Sequence, residues 1–219
     1  MSNVIIFGIQ DFSELAHYYF ENDSPHKVTA FCVHRDFLPE NPSFKGLPVV
    51  AFEDVNELYP PTSYKFFVPM SPKNMNRDRE KIYHAVKEKG YDCVSYVSSK
   101  ATVFDNEIGE NCFILEDNSI QPFTKIGNNV VLWSGNHIGH HGVIRDHVTF
   151  TSHVVMSGHC DIGEYSFLGV NATLRDGLKI AEGTFIAMAS AIFQDTDAWG
   201  VYTGNPAVKS KVPSTRMKF

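Results

Sequence analysis

The sequence lacks any stretch approaching the ~20 apolar residues that a bilayer-spanning helix needs, so no membrane partner is expected. It opens on Met1-Ser-Asn-Val-Ile-Ile-Phe-Gly8, a short apolar run with no basic flank and no cleavage signal. That start reads as a first β-strand rather than an export signal, and a cytoplasmic protein is expected. There is no long run of Lys or Arg, and the formal net charge is −6. This argues against nucleic acid as a partner but says little about a small anionic ligand, which needs only a local site. Cysteine is scarce: Cys32, Cys93, Cys112 and Cys160 are scattered, with no pair at C-x-x-C spacing. A disulfide framework or a zinc site is therefore not expected, and the four read as buried free thiols. The remaining composition, 43% hydrophobic and 20% charged, is ordinary for a globular chain.

What is present divides in two. Residues 1–97 alternate strand-like and helix-like segments. Strands are expected over 4–7, 27–33, 48–51, 64–68 and 92–96. Helices are expected over 12–20 and over 77–89, the second with Ile82, Tyr83 and Val86 inward and Gly90 as its stop. This β-α-β order predicts a small parallel sheet with covering helices, a Rossmann-like α/β subdomain.

From Val103 onward helical periodicity is missing and a six-residue repeat replaces it. Stepping by six from Ile108 gives Ile114, Ile120, Ile126, Leu132, Ile138, Ile144, Phe150, Met156, Ile162, Leu168, Leu174, Ile180, Ile186 and Ile192, apolar at every step. Four residues beyond each anchor the side chain is mostly small or β-branched, as at Cys112, Thr124, Val130, Val148, Ala172 and Ser190. Glycine often follows the anchor directly, as in Ile126-Gly127 and Ile138-Gly139. Six residues make one short strand and a turn, and three such units close an eighteen-residue triangular coil. Anchors then fill the interior of a parallel β-helix, small residues fit its corners, and five stacked coils rise roughly 24 Å. The predicted organisation is 1–97 α/β, 98–208 β-helix and 209–219 tail.

The ladder, the segment Gly135-Asn-His-Ile-Gly-His-His141 and the closing Tyr202-Thr-Gly-Asn-Pro-Ala207 resemble the hexapeptide-repeat acyltransferases. The two-part layout is similar to bacterial sugar acetyltransferases with an amino-terminal nucleotide-sugar-binding domain, including UDP- or GDP-amino-sugar N-acetyltransferases and sialic acid O-acetyltransferases. The resemblance is strong over 101–208 and looser over 1–97. It implies a left-handed coil, a homotrimer, and acetyl-CoA as acyl donor.

Acyl transfer from a thioester needs a base for the attacking amine or hydroxyl and donors for the oxyanion. The repeat region offers His137, His140, His141, His147, His153 and His159. Residues eighteen apart stack on one face; residues six or twelve apart lie on different faces. His141, His147 and His153 therefore point from three faces and cannot share one metal ion within a chain, so no metal is expected. His141 and His159 share a face. His140 lies one coil below Gly158, which pairs a base with a glycine N–H. The resemblance points to the same two residues: the relatives' base is the histidine of an Ile-x-His turn, here Ile138-Gly139-His140, and the oxyanion donor is the amide one coil on, Gly158. The residue after the base is usually acidic in those relatives, whereas here it is His141. Asn136, Asp117 or Asp146 are candidates to orient the base in its place.

By the same resemblance, Gly158, Gly169, Val170, Ala187, Met188 and Ala189 would line coenzyme A. Gly204 and Pro206 would approach its nucleotide end, with Lys209 or Lys211 available to phosphate. In the first domain, Gly8-Ile-Gln-Asp-Phe-Ser13 follows a strand as a nucleotide-binding turn does but lacks the second and third glycines of G-x-G-x-x-G. Gly8, Gln10, Arg35, Asp36, Asn76 and Arg79 are the substrate-binding candidates there. Taken together, these features predict acyl-CoA-dependent N-acylation of a nucleotide-linked amino sugar in surface-polysaccharide biosynthesis. Sugar O-acetylation, a non-catalytic β-helix used for assembly, and a metal-dependent hydrolase with ligands from two chains stand as rivals.

Overall fold

The computed structural model describes residues 1–217. The first unit runs β1 (Asn3–Phe7), α1 (Asp11–Asp23), β2 (Lys27–Val33), β3 (Ser43–Phe44), β4 (Leu47–Ala51), α2 (Val55–Leu58), β5 (Tyr64–Phe67) and α3 (Arg77–Glu88). The sheet order is β3-β4-β2-β1-β5, parallel except for β3. Val4 and Ile6 pack on one side of β1 with Ala16 and Phe20 of α1. Ile5 and Phe7 pack on the other with Ile82 and Val86 of α3. Alternation of side-chain direction along a fully buried strand produces this two-sided core.

The strand expected at 92–96 is not formed as such. Cys93 makes an isolated bridge to Phe66, and Tyr96–Val97 pairs instead with Phe113–Ile114 of the repeat. The repeat's first face claims this segment because its backbone groups find parallel partners there.

From Phe113 to Ile192 the chain winds through two-residue strands on three faces, and the parallel partners within this span lie eighteen residues apart, as in Ile126 with Ile144 and Ile144 with Ile162. Every anchor from Ile114 to Ile192 is buried, and Ile108 is half-buried at the open end. The residues four beyond the anchors form the buried corners. All four cysteines are free and buried, Cys112 and Cys160 in such corners.

Every sixth residue from Asn111 to Ala189 has φ between 56 and 79°. This left-handed turn position lies three beyond each anchor, and besides glycine it favours Asn, Asp and His. His141, His147, His153 and His159 all occupy it. Much of the histidine density in the repeat therefore reflects backbone geometry. His140 lies outside this series.

One turn column forms the seam with the first unit. Arg79 is 1% exposed and donates to Asn129 Oδ1 (3.1 Å), Asn129 O (3.1 Å), Thr149 Oγ1 (3.2 Å) and Met70 O (3.3 Å). Asn76, 0% exposed, donates to Tyr165 O at 3.0 Å and accepts from Thr149 Oγ1 at 2.7 Å. Both were expected in a substrate cleft. Their positions correct that expectation: they are buried against the prism, with their polar atoms already used.

His147 belongs to the same seam and its tautomer follows from its neighbours. Asn129 Oδ1 accepts from Arg79 Nε and from Asn111 Nδ2 (2.7 Å), which orients the amide. Its Nδ2 therefore donates to His147 Nδ1 at 2.9 Å, leaving the imidazole proton on Nε2. Burial pushes the His147 pKa down to about 4, outweighing the nearby Glu80. The unfolded imidazole titrates near ~6.5. Between these values the unfolded chain binds a proton that the folded chain refuses, so stability falls as pH drops through that window. Thermal melts from pH 7 to 4.5 should show this slope, and it should flatten in His147→Asn, a side chain that tolerates the left-handed turn. An unchanged slope would remove His147 as its source.

Candidate active site

His140 follows the strand His137–Ile138, with its amide donating to Gln121 Oε1 at 3.0 Å and its ring exposed. The ring lies against Gly158 one coil on. A Cβ at Gly158 would sit 2.9 Å from His140 Cε1 and 3.1 Å from Nε2. A Cβ at Gly139 would in turn lie 2.5 Å from the Gly158 nitrogen. Glycine at both positions is thus required by the close stacking of two turns. The backbone bond from His159 N to His140 O, 2.9 Å, holds the coils in this register.

The Gly158 N–H is available. Amides at the equivalent turn position are capped elsewhere by the side chain eighteen residues on: Glu110 N by Asn128 Oδ1 at 3.0 Å and Asn128 N by Asp146 Oδ1 at 2.7 Å. Among the described residues the Gly158 amide donates to no acceptor.

His141 stands where an acidic neighbour was looked for. Its Nδ1 is 2.9 Å from His140 Nδ1, so one nitrogen donates and the other accepts. Its ring stacks on His159 at 5.1 Å and 19°, and meets Phe123 at 4.6 Å with the planes tilted by 41°. The other candidates for orienting the base are engaged elsewhere. Asp146 holds Asn128, and Asn136 is buried between Asn118 Oδ1 and Val154 N. Asp117 occupies a left-handed turn in another column.

The expected coenzyme-lining residues form their own surface. Ala189 N donates to Val170 O at 2.8 Å, Ala187 N to Tyr202 O at 2.9 Å, and Gly204 N to Ser190 Oγ at 3.1 Å. A Cβ at Gly169 would lie 2.5 Å from Met188 N, and Met188 itself is exposed. Val170 and Met188 are eighteen apart and share one corner of the prism; His140 and Gly158 share another. A single chain therefore does not bring the two sets together. Pro206 lies on a cavity of about 520 Å³ with Phe193, Tyr202 and Lys209, and Lys209 is ion-paired to Asp197.

In the first unit a cavity of about 420 Å³ opens beyond the carboxyl ends of β1 and β2, lined by Phe7, Gly8, Gln10, Ser13, His34 and Met70 among others. Ligands in open parallel sheets bind at this kind of crevice. Gly8 has φ 101°, and a Cβ there would meet Ser13 Oγ at 2.5 Å. Gly8 and Gln10 both line this crevice. Arg35 and Asp36 do not: Arg35 turns away to Asp54 at 2.6 Å, and the neighbouring His34 takes the lining position while contacting Glu53 at 3.0 Å. His34 had no periodic signal to mark it.

Residues 107–140 match the family described as bacterial transferase hexapeptide (six repeats). The chain is 31% identical over 118 residues to an acyl-[acyl-carrier-protein]–UDP-N-acetylglucosamine O-acyltransferase of Helicobacter pylori (strain Shi470), covering 51% of this chain and 44% of that protein. The same enzyme of Sinorhizobium fredii is 26% identical over 110 residues, with 47% and 41% covered. The chain therefore spans less than half the length of these curated relatives. Among solved structures, a point variant of perosamine N-acetyltransferase from Caulobacter crescentus, in complex with CoA and GDP-perosamine, superposes with TM-score 0.85 at 19% identity, covering 97% of this chain and 98% of that one. The acetyltransferase domain of PglB from Neisseria gonorrhoeae superposes with TM-score 0.80 at 18% identity, covering 96% and 100%. The fold is an α/β unit followed by a left-handed parallel β-helix, as in these proteins.

Proposed function

We propose that this chain transfers an acyl group, acetyl in the first instance, from coenzyme A to the amine of a nucleotide-linked sugar, in the making of a surface polysaccharide. The observation that carries the reading is the His140 ring lying on Gly158, whose N–H is unclaimed among the described residues. In the acting tautomer His140 donates from Nδ1 to His141 Nδ1, 2.9 Å away, which leaves the Nε2 lone pair free to act as base. The neutral amine attacks the thioester carbon, and its N–C bond forms as the carbonyl π electrons move to oxygen. The Gly158 N–H stabilises that oxyanion. His140 Nε2 takes the amine proton, the C–S bond breaks, and the coenzyme A thiolate leaves. No metal takes part in this transfer.

The crevice at Gly8 and Gln10 would hold the nucleotide portion of the substrate. The separation of the Val170–Met188 corner from the His140–Gly158 corner supports sites shared between neighbouring copies, as in a homotrimer. No helix among the described residues is long and apolar enough to cross a membrane, which is consistent with a nucleotide-sugar substrate met in the cytoplasm. A second reading, O-acylation, is favoured by one observation: the curated relatives are named O-acyltransferases.

Incubation with acetyl-CoA and a panel of UDP- and GDP-linked amino sugars should release free thiol with at least one acceptor. The product should be an amide stable to hydroxylamine. A hydroxylamine-labile ester would favour O-acylation, and no thiol release across amines and hydroxylated analogues would defeat the acyl-transfer reading.

A further inference from the structure

We propose that His140, His141 and His159 form a binding site, within one chain, for a divalent cation that prefers imidazole, with Zn²⁺ as the probe. One ring nitrogen from each lies within 4.8 Å of the other two. The sequence argument that divided the histidines by face applied to those six and twelve residues apart. It did not preclude this cluster, because His140 lies outside the six-residue series and His159 is one full coil from His141.

Several features suit the chemistry. Three neutral imidazoles are a common zinc ligand set, completed by water. With Zn–N near ~2.1 Å, tetrahedral ligands lie about 3.4 Å apart, so the 2.9 Å between His140 and His141 Nδ1 must open slightly while His159 closes in. Side-chain rotation suffices for that, because all three rings are exposed. Their backbones are held by His159 N to His140 O and by His141 N to Pro122 O (3.3 Å). Gly177 continues the column beyond His159 with open space where a Cβ would stand, which leaves that approach to solvent. No carboxylate belongs to the cluster, so Ca²⁺ and Mg²⁺ are poor candidates.

A second group, Glu80, His84 and His147, is as compact but lacks the lone pair. The seam hydrogen bonds keep the proton on His147 Nε2, the nitrogen facing Glu80 at 3.8 Å. In the exposed cluster the one proton between His140 Nδ1 and His141 Nδ1 is not fixed by buried partners, and either ring can carry its proton on Nε2 instead.

The cation is not a cofactor for transfer. If His140 is the base, an ion on its Nδ1 moves the ring proton to Nε2, removes the lone pair that would accept the amine proton, and inhibits; that consequence alone rests on the proposed function. The test is titration of metal-free protein with Zn²⁺ against a chromophoric chelator, with Co²⁺ absorption as a second readout. One ion per chain and a nitrogen-rich tetrahedral Co²⁺ spectrum are expected. Altering an outer-shell partner alone costs ~10–100-fold in metal affinity, so His159→Asn and His141→Asn should each weaken binding by at least about that. His153→Asn, in a turn outside the cluster, should leave binding unchanged. Melting curves show whether each variant is folded. Sub-stoichiometric binding, or affinity unaltered in folded His159→Asn, overturns the site. Binding without any acyl transfer would defeat the function and keep the site; transfer without binding would do the reverse.

Discussion

His140→Ala is expected to lower the acyl-transfer turnover number by ~10²–10⁴-fold, the range for loss of a positioned general base. Removal of the ring takes away the imidazole that lies on the Gly158 turn, while the backbone bond from His159 N to His140 O remains. The fold and the acceptor KM should therefore change little, and the loss should fall on kcat. Gly158→Ala is the companion test. Its methyl would stand 2.9 Å from His140 Cε1, tighter than side-chain contacts allow, so the ring must swing away although the amide stays. Turnover should fall in this variant too, with His140 still present. Activity retained in His140→Ala would remove His140 as the base, and activity retained in Gly158→Ala would show that ring and glycine need not be in register.

The second large effect is on stability. Arg79→Met should destabilise the protein by about 3 kcal/mol or more, since each buried oxygen left without its donor costs ~1–3 kcal/mol. The guanidinium is 1% exposed and, among the described residues, no carboxylate pairs with it; oxygens of Asn129, Thr149, Met70 and His147 surround it instead. Burial pulls its pKa down to about 9, which still leaves it charged at neutral pH. Methionine preserves much of the stem but leaves those buried oxygens without a donor. Urea unfolding should show a lowered midpoint, and a shift under about 1 kcal/mol would mean that the seam relaxes or admits water. The variant also tests the link between seam and crevice, because Arg79 donates to Met70 O and Met70 lines the Gly8 crevice.

Some of this architecture is legible without coordinates because the repeat is periodic. An apolar residue every sixth position has one compact solution, and the eighteen-residue sum that stacks Ile126 under Ile144 also stacks His140 under Gly158. The first unit is legible for a related reason: β2 occupies the predicted residues 27–33 because its buried run stands between polar breaks. Arg79 and Asn76 show where pattern reading stops. A polar residue at a helix start looks solvated until a second domain packs on it. Arg35 and His34 are adjacent, and the sequence does not reveal which one an ion pair with Asp54 turns away from the crevice.

The histidines separate the two sources of information most clearly. By itself the sequence determined the coil, its register and the pairing of His140 with Gly158, since these follow from counting along a regular repeat. Only the tertiary structure decided that four of the six repeat histidines occupy left-handed turns. It alone also decided that His141 meets His140 through Nδ1 and that Arg79 and Asn76 are buried in the seam. The physical reason is that periodicity specifies which backbones stack. Ring orientation, proton position and the burial of a seam depend on neighbours that come together only when the chain is folded.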